Sequence, residues 1–248
     1  MAEDTKDVVV TTPTALVKAF GEGEVNTGFE GTKGTDYAIP FLNLLQKGSP
    51  QCDPDDPAYN PDRFKVGQFY DEGRDEVLDS VRVIPCHFKA VMVEVQPGEQ
   101  GNFVATHDPG VEVGLPKDEK GRYVMPSGNL LIDTRQHFVL RLTDSGLAVP
   151  MVISFRSSQI KKSRNWMTKM DGIRAQGKNG PFRPPMYATV WKITSVPESN
   201  DKGSWRGYII EQEGPIVDPL LFEKAKEANQ MFLASAGLVK PKVDATPF

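Results

Sequence analysis

The segment "QHFVLRLT" (136–143) alternates. Phe138, Leu140 and Leu142 share one side, and His137, Val139 and Arg141 the other. A period of two predicts a strand, because successive side chains of extended backbone point to opposite faces. Runs rich in β-branched residues recur along the chain. "SVRVIPCHFKAVMVEV" (80–95) reads as one or two strands bent at Pro85, and "AVPMVISFR" (148–156) as another. "MYATVWKITSV" (186–196) and "SWRGYIIEQ" (204–212) read as strands joined by the turn-rich "PESNDKG". "GRYVMPSGNLLIDT" (121–134) predicts a hairpin about Pro126-Ser127-Gly128, and "DSG" (144–146) a turn. "YAIPFLNLLQKGSP" (37–50) is the first apolar segment, a strand or a short turn of helix.

Two segments follow a helical period instead. Residues 158–175 contain no proline, and Ser157 or Ser158 can cap their start. At 100° per residue from Ile160, Trp166, Met167, Met170 and Ile173 fall between roughly 220° and 340°. Lys161, Lys162, Arg164 and Lys169 fall between roughly 40° and 200°, so an apolar stripe opposes a basic face. The second helix is "DPLLFEKAKEANQMFLASAG" (218–237), with Asp218 as N-cap, Pro219 at the first position and Gly237 at the end.

These elements predict a mainly β fold. Several strands, a helix and two more strands are the order of an OB-fold-like antiparallel barrel with a helix between late strands. A two-sheet sandwich is the alternative. The expected organisation is a flexible arm (1–35, with a short helix around Pro13–Phe20), a binding domain (36–214), a C-terminal helix (215–237) and a flexible tail (238–248).

Charge changes the picture most. The chain carries −4 overall, yet residues 156–192 hold nine bases against one acid, Asp171. Residues 1–80 hold 16 acids against 7 bases. A basic block in an acidic chain is the footprint of a site for a polyanion. The bland reading is a solvated helix face neutralised by the acidic front half.

Chemistry for catalysis is thin. No run approaches the length of a membrane span, and the N-terminus has no signal-peptide pattern. The two cysteines, Cys52 and Cys86, suggest a reducing, cytoplasmic setting. No metal-binding, nucleophile-elbow or phosphate-loop spacing occurs around His87, His107 or His137 or elsewhere. No enzyme activity, cofactor or metal is therefore expected. The acidic "DPDDPAYNPD" stretch reads as a solvated loop; a nuclease using Asp55 and Asp56 is the competing reading.

The basic block also holds aromatic side chains. Trp166 lies on the apolar stripe, which makes it core first and a stacking ring second. Period two places Tyr187, Thr189, Trp191 and Ile193 on one face of the next strand and Met186, Ala188, Val190 and Val196 on the other. With the second set inward, Tyr187 and Trp191 project outward about 13 Å apart beside Lys192 and Arg183. The opposite assignment puts that face under the helix. "GKNGPFRPP" (177–185) reads as a rim loop carrying Lys178, Phe182 and Arg183. Such aromatic platforms hold the bases of a single strand by stacking, and the basic side chains hold its phosphates. The candidate DNA-binding set is Arg156, Lys161, Lys162, Arg164, Trp166, Lys169, Lys178, Phe182, Arg183, Tyr187, Trp191 and Lys192.

The order "IPFLNLLQKGSP", "SSQIKKSRNWMTKM", "GPFRPPMY" and "SVPESNDKGSWRGYIIEQEGP" resembles single-stranded DNA-binding proteins of tailed bacteriophages, over roughly residues 37–220. The resemblance implies an OB-fold core, DNA contact by Lys161, Lys162, Arg164 and their aromatic neighbours, and action in the host bacterial cytoplasm during replication, recombination and repair. It also implies a tail that docks replication proteins such as polymerase or helicase through Asp244, Pro247 and Phe248. The tail departs from that group in carrying Lys240 and Lys242. Further expected partners are single-stranded DNA and a second copy in a homodimer, with no membrane. A β-rich virion or assembly protein, whose basic face meets an acidic protein, is the alternative function.

Overall fold

A computed structural model describes Gly31 and residues 39–98, 103–201 and 203–235. The arm helix expected around Pro13–Phe20, the helix end at Gly237 and the tail lie outside the described residues.

Three short strands, β1 (Leu42–Leu44), β2 (Phe69–Asp71) and β3 (Glu76–Leu78), form a small antiparallel sheet. The main sheet is built on β4 (Ser80–Val95), a single strand of 16 residues. Its register shifts between Pro85 and His87, so the proline marks a bulge and not a break. β5 (Phe103–His107) pairs with the far end of β4, and β6 (Tyr123–Val124) forms the expected hairpin with β7 (Leu130–Leu142). β7 lies along β4, and β8 (Ala148–Arg156) lies along β7.

Helix α1 (Ile160–Gly172) follows a 3-10 turn at Ser157–Gln159. That turn takes up both serines, so neither caps the helix; its N-cap is Gln159, without a side-chain bond. A small hairpin of β9 (Ala175–Gly177) and β10 (Gly180–Phe182) comes next. β11 (Thr189–Asn200) and β12 (Gly203–Pro215) then complete the main sheet, with β11 against the near end of β4. The strand expected from Met186 begins three residues later, after a 3-10 turn at Met186–Ala188. Helix α2 (Pro219–Ser235) ends the described chain, and Asp218 caps it as expected, its Oδ1 accepting from the Leu220 N–H at 2.9 Å.

The chain is thus mainly β and antiparallel, with a helix between late strands and a C-terminal helix. Among the described residues the main sheet does not close into a barrel by strand pairing. One segment spans its opening. The Val152 N–H of β8 donates to the Pro40 carbonyl, while the Gln46 side chain bonds both the N–H and the carbonyl of Arg206 on β12. Two more side chains reach the same edge of β12. The Gln159 carbonyl oxygen accepts from the Tyr208 N–H, and Lys169 Nζ donates to the Ile210 carbonyl at 3.1 Å.

Both faces of the sheet are covered, which is why β7 is buried on both sides despite its alternation. One face packs Val83, Val139, Met151, Phe155, Trp191 and Ile193 against the small sheet and against Trp166 and Met170 of α1. The other packs Ile84, Cys86, Phe138, Leu140 and Val152 against Ala225, Ala228 and Phe232 of α2. Burial of these side chains supplies the main driving force, at about 25 cal/mol per Å² of apolar surface. A buried ion triad fastens the small sheet: Arg141 of β7 pairs with Asp71 at 2.9 Å and with Glu76. Both cysteines are free thiols.

Candidate functional site

The apolar stripe read on α1 is its buried side. Trp166 is 1% exposed and lies stacked on the His137 ring, with centroids 4.5 Å apart and planes 16° from parallel. Ser163 reaches His137 Nε2 at 2.7 Å. Burial holds the His137 imidazole far below its ordinary range, down to about 3, so it is neutral. Trp166 has no exposed face on which a base could stack.

Trp191 is 0% exposed, and the outward placement expected for it is corrected by the structure. The pairing of β11 with β12 shifts register between Val190 and Trp191. The extra residue of that bulge lies on β12, so the alternation along β11 holds: Val190 faces α2 and Trp191 faces α1, and both are buried because both faces of the sheet are covered. Trp191 packs edge-on to Trp166, and its Nε1 donates to Thr189 Oγ1 at 2.8 Å. Tyr187 belongs to the turn before the strand and lies against Phe222 of α2, with centroids 5.5 Å apart. The expected platform of Tyr187 and Trp191 is therefore not formed.

The basic side chains divide into three groups. Lys162, Lys169 and Arg183 are engaged. Lys162 pairs with Glu198 at 2.7 Å, Lys169 holds the edge of β12, and Arg183 pairs with Asp171. Burial opposes ionisation of Glu198, but bonds from Lys162, Gln159 and Trp205 outweigh it and hold its carboxyl below the usual range. Gly207 leaves room for this carboxylate, which a Cβ there would meet at 2.3 Å. Lys161, Arg164 and Lys178 are exposed and make no ion pair among the described residues. Arg156 and Lys192 lie elsewhere. Arg156 is in line with Val152 on the α2 side of the sheet, and Lys192 alternates with the inward Trp191 and Ile193, between Arg82 and Glu211.

The rim-loop expectation for residues 177–185 resolves into the β9–β10 hairpin. Arg183 ties its end to the last turn of α1 through Asp171. The Phe182 ring rests over Gly177, where a Cβ would stand 3.1 Å from it, and remains 50% exposed. Arg174, missed as a candidate though it lies in the basic block, donates to the Ile173 carbonyl between helix and hairpin. Lys161, Arg164, Lys178 and Phe182 thus share a surface that runs from α1 onto the hairpin. It spans about 15 Å along the helix from Lys161 to Asp171, at ~1.5 Å per residue.

The acidic loop offers a different picture. Asp53 and Asp56 each accept a backbone N–H in their own turns. No group of His, Cys, Asp and Glu among the described residues could hold a metal ion. Among the described residues, no helix is long and apolar enough to cross a membrane.

Residues 10–236 match the family of Pam3 phage gp34-like proteins. The chain belongs to that family. It is therefore a bacteriophage-type protein, as the resemblance implied at that coarser level. No curated protein and no solved structure matches this family member.

Proposed function

We propose that this phage-family protein binds single-stranded DNA largely without regard to sequence, and coats and protects it during replication and recombination in the host bacterial cytoplasm. The observation that carries the reading is the surface of α1 and the β9–β10 hairpin. There, three exposed cations without ion partners among the described residues accompany a half-exposed aromatic ring. Lys161, Arg164 and Lys178 hold phosphates, and Phe182 offers its free face to a base. Each stacked base is worth about 1–3 kcal/mol, and each phosphate contact adds about 0.7 to the salt slope. The antiparallel sheet with a helix between late strands is compatible with an OB-fold-like reading. The protein acts as a binder and not as an enzyme. Recruitment of polymerase or helicase through Phe248 belongs to the same reading and rests on the sequence alone.

The test is fluorescence anisotropy of labelled oligo-dT at two salt concentrations. Wild type binds with a steep salt slope, and Lys161→Ala/Arg164→Ala/Lys178→Ala binds weakly with a shallower one. Equal affinity and slope in the two proteins would sink the assignment. Absence of DNA binding together with copurification with capsids would favour the assembly role instead.

A further inference from the structure

The α2 side of the main sheet is not uniformly apolar. Along β4, β7 and β8 the side chains on this side form rows of directly opposed residues. The row His87, Phe138, Val152 lies at the end of α2, where Phe232 packs on Phe138 at 5.3 Å and Asn229 Nδ2 donates to the Cys86 carbonyl. The next row is Lys89, Gln136, Ser154, and the row after it is Val91, Thr134, Arg156. Beyond these the face is apolar again, with Val93, Val95, Leu130 and Ile132. A polar row thus interrupts two apolar clusters on one face.

Two members of the Lys89, Gln136, Ser154 row have polar atoms that the described residues leave unbonded. Gln136 is 1% exposed, and among the described residues neither its Nε2 nor the buried Ser154 Oγ has a hydrogen-bond partner. A buried donor left unpaired costs free energy, so folded chains retain few of them. Opposed side chains on neighbouring antiparallel strands have Cβ atoms about 4.5–5.5 Å apart, which lets one small ligand touch three of them. The surroundings are cationic. Lys89 stands in the row, paired among the described residues with the exposed Asp108 at 3.6 Å, and Arg156 stands one row along. His87, one row back, is held below its ordinary pKa by burial and by the Lys89 charge.

We infer that Lys89, Gln136, Ser154 and Arg156 form a binding site for a phosphate group, on the opposite face of the sheet from α1. Gln136 Nε2 and Ser154 Oγ donate to its oxygens, and Lys89 and Arg156 supply the charge. Hydrogen bonds to a charged acceptor are the stronger kind, and the two neutral donors need no proton to be moved. The site is separate from the α1 surface of the preceding section and does not depend on that reading. The phosphate is either a free one or a phosphodiester of a bound strand.

Isothermal titration calorimetry of the full chain with inorganic phosphate, at fixed ionic strength, tests the site. Wild type is expected to give saturable binding. Gln136→Leu, nearly equal in volume, should weaken it about tenfold, the equivalent of one charge-assisted hydrogen bond. Lys89→Gln, at a partly exposed position, should do likewise and keeps the test open if the core variant misfolds. Lys161→Ala/Arg164→Ala should leave phosphate binding unchanged. No saturable binding by wild type, or undiminished affinity in Lys89→Gln, overturns the proposal. Competition by oligo-dT, with weaker oligo-dT binding in Lys89→Gln, identifies the phosphate as a strand's backbone. Phosphate binding unaffected by oligo-dT identifies it as a free ligand.

Discussion

The two helices cover opposite faces of one sheet, and each is amphipathic, but their outer sides differ. On α2 the exposed charges are Glu223, Lys224, Lys226 and Glu227, which cancel, and Lys226 pairs with Glu223 at 3.2 Å. On α1 the charges are Lys161, Lys162, Arg164 and Lys169 against Asp171 alone. Partners from other elements take up Lys162 and Lys169, which leaves Lys161 and Arg164 without an ion pair among the described residues. A helix that serves only to cover a core has no need of an uncompensated charge, since like charges one turn apart disfavour it. Amphipathicity therefore shows that both helices are fastened to the sheet, whereas charge balance distinguishes α1, the helix for which polyanion binding is proposed.

That contrast can be broken first on the dry side. Trp166→Ala is expected to cost about 3–5 kcal/mol in urea unfolding, because a large aromatic leaves a cavity against His137 and Trp191. A loss no larger than that of a typical surface substitution would mean that α1 is not fastened as described. Acid should loosen the same contact. The folded His137 titrates at about 3, well below the ordinary 6.5, so the unfolded chain binds the proton more readily. Its contribution to stability is complete above about 6.5 and is lost as pH falls towards 3. Thermal melts of wild type and His137→Phe across that window should converge in their pH dependence except for this component.

On α2, Phe232→Ala should cost about 3 kcal/mol by the same cavity argument, while leaving DNA affinity intact. The wet sides separate the helices most clearly. Lys161→Ala/Arg164→Ala should lower oligo-dT affinity about tenfold, or ~1.4 kcal/mol, with stability changed by less than about 0.5 kcal/mol. Lys224→Ala/Lys226→Ala should change neither, and equal losses from both pairs would erase the distinction. Asp218→Ala should cost about 1 kcal/mol in unfolding, the smallest loss expected among the stability variants, since it removes only the cap of α2.

How much of this was legible follows from range. The strand at 148–156 and the buried stripe of α1 come from local periods, and the structure repeats them. Asp218 was legible because a cap bonds within its own turn. Trp191 was misplaced because period two groups residues by face and does not say which face is covered; α1 covers the face of Trp191 and Ile193, and α2 the face of Val190. β1, β2 and β3 are three residues each, too short to display a period. Partnerships were not legible at all. Nothing near Lys162 announces Glu198, and nothing near Arg156 places it across the sheet from Lys161. Of the candidate surface, the charge was visible in composition, but its division among paired, free and opposite-facing groups required the fold.

The outer edge of β12 deserves a last consequence. A strand edge with free amides and carbonyls is a template for another chain's strand, and so for aggregation. Here Gln46 occupies both main-chain groups of Arg206, Gln159 the amide of Tyr208, and Lys169 the carbonyl of Ile210. Every second residue of that stretch is already spoken for by a side chain that cannot propagate a ladder. Neighbouring copies are thereby hindered from joining edge to edge along this stretch of the strand, even at high concentration.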